Sequence, residues 1–186
     1  GKPGQPKHLV LKGYWSEPMH VIEGLLWKPG LPTEIAIDPN YAEPAAYSVE
    51  VIQWDLANGD MFLVDEVSES GMHHDAIKAI CQERIWWPFV TGGTIDPHAE
   101  GHVYSNHVPS NYWLPLPLRH FGQPRVATTV QALKEALAFR DGGYPRMRVS
   151  DRCVRFRKEA STWRTDKYGK PLATWCDATK AVGYWL

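Results

Sequence analysis

Three short runs rich in apolar and β-branched residues lie close together in the first third of the chain, at 34–38, 45–54 and 61–67. The linkers between them carry turn chemistry: PNYAEP after the first, and DLANGD, with its Asn-Gly pair, after the second. Strands this short, separated this way, predict an antiparallel meander. The period then lengthens. In SESGMHHDAIKAICQERI the apolar positions Met72, Ala76, Ile77, Ile80 and Ile85 recur near helical spacing, with Ser70 as a cap. A fourth strand is predicted at 90–96, another at 112–118, and RMRVS at 146–150 makes a further short one between helices over 126–139 and about 151–163. The closing segment PLATWCDATKAVGYWL reads as a helix with Asp177 in its first turn. Strands interleaved with helices in this order predict an α/β fold, a central mixed sheet flanked by helices.

The Gly- and Pro-rich opening, residues 1–32, predicts an edge hairpin or docking arm ahead of a domain over 33–186. A first residue of Gly rather than Met suggests a piece excised from a longer protein. Composition adds little to the pattern: 44% apolar and 22% charged residues are the balance of an ordinary globular domain. Apolar runs fall well short of a membrane span, and no signal-peptide pattern opens the chain, so no membrane partner is expected. Three widely spaced cysteines without a C-x-x-C argue for a reducing compartment and against both a disulfide framework and structural zinc. No G-x-x-x-x-G-K-[ST] occurs, so no ATP site is expected.

Charge changes the picture more. Residues 1–118 carry 6 Lys and Arg against 15 Asp and Glu, whereas residues 119–186 carry 14 against 6. Halves of opposite sign suggest an anionic partner such as nucleic acid on the second half, or mutual neutralisation across a shared interface. The second half concentrates Arg146, Arg148, Arg152, Arg155, Arg157, Lys158 and Arg164, a stretch suited to tracking phosphates or to an ordinary solvated face.

The candidate chemistry lies in the acids. IAIDP and GTIDP end alike, an apolar approach, then Asp38 or Asp96, then Pro. Proline cannot donate to a ladder and helps end each strand. If the strands are neighbours their carboxylates lie side by side, and a C-terminal helix can bring Asp177 across them. Clustered carboxylates repel unless a cation holds them. An all-oxygen set suits Mg²⁺ or Mn²⁺, and a pair of such ions about 3.5–4 Å apart would activate water and stabilise the leaving oxygen of a phosphodiester. A strand-end aspartate before proline is also a common turn former, so the residues alone leave both readings open.

The sequence IAIDPNYAEPAAYSV, then FLVDEV, GGTIDPHAE and CDATKAVGYW resembles the C-terminal nuclease domain of the large terminase subunit of tailed bacteriophages, over about residues 33–186. That family has the RNase H-like (RuvC-like) fold. The resemblance maps its acids onto Asp38, Asp96 and Asp177, separated here by 58 and 81 residues. It implies a two-metal, largely sequence-independent endonuclease that cuts concatemeric double-stranded DNA. It also implies an ATPase domain in the full-length protein, the small terminase subunit and portal as partners, and the host bacterial cytoplasm as location. The chain departs from the family at Trp175 and Cys176, where an acid or His often stands, and at Lys180, where another acid is common. Glu66, beside Asp65, is the spare metal ligand this suggests, or else a solvated strand end.

Among other residues, His98, His102 and His107 follow Asp96 and could assist proton transfer or simply be exposed. Cys176 and the tryptophans (Trp86, Trp87, Trp113, Trp163, Trp175, Trp185) read as packing. Competing readings are another RNase H-like nuclease, such as a resolvase or transposase core, and a catalytically silent DNA-binding or docking module.

Overall fold

The computed structural model describes residues 8–40, 45–96, 113, 116–119, 126–172 and 176–186. In chain order the elements are α1 (Glu17–His20), β1 (Val21–Ile22), β2 (Thr33–Asp38), β3 (Tyr47–Asp55), β4 (Asp60–Glu69), α2 (His74–Gln82), β5 (Val90–Ile95), β6 (Leu118–Arg119), α3 (Val126–Leu137), β7 (Met147–Ser150), α4 (Val154–Thr162) and α5 (Asp177–Trp185). They form one sheet in the order β1-β7-β4-β3-β2-β5-β6. β2, β3 and β4 are the expected antiparallel meander, while β5 and β6 join beside β2, and β7 and β1 beside β4, all in parallel.

Helices cover both faces, which is why β2 and β3 read as nearly continuous apolar runs rather than alternating ones. Ala36, Ile52, Leu63 and Val149 pack on one face against Leu133 and Leu137 of α3, Phe156 of α4 and Ala178, Ala181 and Val182 of α5. Ile35, Ile37, Val49, Val51 and Val64 pack on the other against Ile77 and Cys81 of α2, Trp86 and Trp113. α3 and α5 approach so closely that a Cβ on Gly183 would meet Thr129 Cγ2 at 2.2 Å. The fold is the RNase H-like α/β arrangement predicted from the sequence.

Several details differ from expectation. Residues 8–32 make no hairpin: β1 pairs in parallel with β7, Leu9 bridges Arg164, and Val10, Leu11 and Trp15 are buried in the core. Ser70 does not cap α2; its hydroxyl donates to the Ala45 carbonyl at 2.7 Å, and α2 begins only after His73. The closing helix starts at Asp177, because Pro171 is already engaged in a bridge with Thr165. Of the strand expected at 112–118, residues 113 and 116–118 are described, and only Leu118, the start of β6, is strand. The three cysteines are free and buried, and Trp86, Trp113 and Trp163 are core residues as expected.

Candidate active site

Asp38 is the last residue of β2 and Asp96 directly follows β5, its parallel neighbour. Ile37 pairs with Ile95, and the Asp96 amide donates to the Ile37 carbonyl at 2.9 Å, so the two aspartates leave the sheet at the same level on adjacent strands. Along β2, Asp38 shares the parity of Ala36, which faces α5. That face brings Asp38 under the first turn of α5, where Asp177 lies.

Three contacts fix Asp177. Its Oδ2 accepts the Ala46 amide at 3.0 Å, and the Arg155 guanidinium approaches the same oxygen at 3.4 Å. Its Oδ1 lies 3.6 Å from Lys180 Nζ, whose other carboxylate is Asp38 Oδ2 at 2.9 Å. Asp38 and Asp177 are almost completely buried. The Asp38 carboxyl is pushed up to about 7, mainly by burial, further by the charges of Asp96 and Asp177, and against the pull of Lys180. Two neighbours respond to this negative cluster. Asp38 is the main influence holding the Lys180 ammonium protonated well beyond its ordinary range, burial acting the other way. Burial, then Asp96 and Asp38, raise the Tyr184 phenol.

A relay of carboxylates aims these groups. Neither α4 nor α5 has a side-chain cap from its own N-cap residue, Cys153 or Cys176. Glu66 of β4 instead accepts the amides of Arg155 and Phe156 and caps α4. Glu159 of α4 in turn accepts the Thr179 amide at 3.0 Å and caps α5, while its other oxygen pairs with Arg155. Glu66 is thus engaged at a helix terminus, although burial raises it to about 7 against those two amides. The sequence offered no local sign of Glu159 or Arg155 in this role, because both caps are tertiary.

The structure places Asp38 beside Asp96 at adjacent strand ends and links it to Asp177 through Lys180, with Arg155 at Asp177. It does not gather the basic stretch. Arg152 and Lys158 are exposed on the β7–α4 side, and Lys158 lines, with Arg155, Thr162, Trp163 and Arg164, a groove of about 480 Å³. Arg157 pairs with Glu17. Arg146 and Arg148 lie at the opposite end of the sheet, bonded to the Gly59 carbonyl and to Asp60. The expected histidines 98, 102 and 107, and Trp175, lie outside the described residues. Cys176 is buried, and burial pushes its thiol up to about 12, in keeping with packing.

Among the described residues no three Asp, Glu, His or Cys side chains converge as a ready-made metal cage. The donor set nevertheless suits a hard divalent cation, being all carboxylate oxygen, and it already holds a cation in the form of the Lys180 ammonium.

No known protein-family profile matches the chain, and no curated protein matches it in sequence. Solved structures do. The large terminase from a thermophilic bacteriophage, in complex with ADP, superposes with a TM-score of 0.72 at 14% identity, over 95% of this chain and 44% of that one. The P22 large terminase nuclease domain superposes with a TM-score of 0.71 at 15% identity, over 97% of this chain and 92% of that one. The g2p large terminase nuclease domain of bacteriophage SPP1, with bound Mn, gives 0.58 at 12% identity, over 89% and 93%. The chain therefore has the fold of large-terminase nuclease domains and spans less than half the length of the thermophilic phage's large terminase. Among the described residues no helix is long and apolar enough to cross a membrane.

Proposed function

We propose that this chain is the metal-dependent endonuclease domain of a phage DNA-packaging terminase, cutting concatemeric double-stranded DNA with little sequence preference. The observation that carries this reading is the meeting of Asp38 and Asp96 at adjacent strand ends under Asp177, in a chain with the fold of such domains. Asp38, Asp96 and Asp177 are the residues that would hold Mg²⁺ or Mn²⁺, and the bound Mn of the SPP1 nuclease supports a divalent ion. When bound, such an ion supplies Lewis acidity toward the phosphodiester oxygens.

The chain's own groups do the rest. Arg155 and the Ala46 amide aim Asp177, and Glu159 fixes the helix turn that carries it. Arg152 and Lys158, exposed at and before α4, offer positive charge for the sugar-phosphate backbone, which gives affinity without reading bases. In the full-length protein an ATPase domain would move the DNA, with the small terminase subunit and the portal as partners in the host bacterial cytoplasm.

One observation favours a second reading. Lys180 stands among the acids, which suits a silent DNA-binding or docking module that has kept the fold. Supercoiled plasmid incubated with Mn²⁺, Mg²⁺ or EDTA separates the two. We expect metal-dependent nicking and linearisation, reduced about 10³-fold or more in Asp38→Asn with DNA binding retained. Equal background cutting in both proteins would sink the nuclease reading and favour the silent module.

A further inference from the structure

A groove lies between α4 and the segment that follows it, residues 163–172. That segment folds back on itself. Thr165 bridges Pro171, the Leu172 amide donates to the Arg164 carbonyl at 2.9 Å, and the Trp163 indole N–H donates to the Leu172 carbonyl at 2.8 Å. Asp166 closes the turn by accepting the amides of Tyr168 and Lys170. Both walls are thus built before any ligand arrives, which spares part of the ordering cost of binding. The volume, about 480 Å³, suits one small ligand unit. Arg155, shared by Glu159 and Asp177, also lines the groove, which therefore lies one side chain away from the acids.

Charge and polarity decide what fits. The acid in the lining, Glu159, is spent on Arg155 and on the Thr179 amide. Lys158 and Arg164 are exposed, and neither pairs with a carboxylate among the described residues. Leu172 is 40% exposed, and the Thr162 hydroxyl is turned back onto the Lys158 carbonyl at 2.7 Å, so the rest of the lining is weakly polar. A nucleotide satisfies both halves: its base lies on aliphatic and guanidinium surface, and its phosphate meets the two cations. In an intact duplex the bases are stacked and paired, so a base enters such a groove only from an unpaired position.

We propose that this groove holds one unpaired nucleotide of the DNA, its phosphate between Lys158 and Arg164 and its base against Leu172 and Thr162. This rests on the nuclease reading above and deepens it, by making a frayed or single-stranded segment beside the acids part of the substrate.

The test is fluorescence anisotropy in EDTA, where nothing is cut, with a blunt duplex and the same duplex carrying an oligothymidine overhang. The overhang should tighten binding to the wild type about tenfold, the contribution of one base held on a protein surface. Thr162→Trp, which fills the groove and leaves both cations, should bring the two affinities together, with circular dichroism verifying the fold. If that variant fails to fold, Leu172→Glu sets a negative charge in the groove and should do the same. Equal affinity of the wild type for both DNAs would overturn the inference and leave the nuclease reading in place. So would a preference for the overhang that survives in both folded variants. No binding of either DNA would remove the nuclease reading and the inference together.

Discussion

Glu50 sits in the middle of β3, opposite Ala36 on one side and Glu66 on the other, with no exposed surface. Both of its carboxyl oxygens lack a hydrogen-bond partner among the described residues. Burial is the main cause that raises this carboxyl well above its ordinary range, and the charges of Glu66, Glu159 and Asp65 add to it against Arg155. The folded protein therefore keeps the proton at pH values where the unfolded chain, near 4.5, has released it. Stability contributed by that proton is complete below the unfolded value and is lost as pH rises toward the folded one, at about 1.4 kcal/mol per pH unit. Glu50→Gln has no proton to lose. Its stability relative to wild type should rise steadily between about pH 5 and about pH 8 in urea unfolding. A difference that stays constant across that range would show that Glu50 is ionised in the folded state. The residue was open to suspicion in YSVEVIQW, as a lone acid in an otherwise apolar strand. Asp38 and Asp96 were legible for a different reason, since each ends an apolar run before proline.

At the scale of elements, what the sequence hid was parity and capping. FLVDEV sets two acids side by side after an apolar run; Val51 pairs with Asp65 and Ile52 with Leu63, which leaves Val64 as an extra residue in β4. That bulge puts Asp65 on the α2 face, where it accepts the Trp86 indole N–H at 2.7 Å, and turns Glu66 toward α4. Neither side could be assigned from a period-two pattern that a bulge interrupts. The Gly-Gly pair of β5 is the counterpart of this. Gly93 lies opposite Ile35, and a Cβ there would stand 1.9 Å from the Ile35 carbonyl oxygen and 2.8 Å from its carbon, both rigid backbone atoms. The β2–β5 pairing that sets Asp38 beside Asp96 thus requires glycine at this point. Gly93→Ala should lower unfolding free energy by about 3 kcal/mol or more, measured by urea denaturation. A variant of unchanged stability would mean that β5 can move away from β2 freely, and the shared level of the two aspartates would lose its structural basis.

At the scale of the whole molecule, the charge asymmetry along the sequence does not become one basic face. Much of the positive charge after residue 118 is spent within the fold: Arg119 on Glu34, Arg140 and Arg148 on Asp60, Arg155 on Glu159 and Asp177, Arg157 on Glu17. Mutual neutralisation of the two halves, one of the two explanations the sequence left open, accounts for all of these except Arg155, whose partners lie in its own half. Arg152, Lys158 and Arg164 remain exposed near α4. Arg148, by contrast, lies over the Phe62 ring at 4.8 Å, at the level of Asp60, roughly 25 Å along β4 from the Ser68 that marks the height of Asp38. DNA lying across the acids should therefore feel Lys158 and not Arg148. Lys158→Ala is expected to weaken duplex binding and to reduce the slope of log affinity against log salt by about 1, the loss of one phosphate contact. Arg148→Ala should leave that slope unchanged and instead cost about 1 kcal/mol of stability through the lost ring and Asp60 contacts. The reverse pattern, a changed slope in Arg148→Ala alone, would mean that the duplex runs over the far end of the sheet, away from Asp38, and the acids would then have to act on something other than the bound strand.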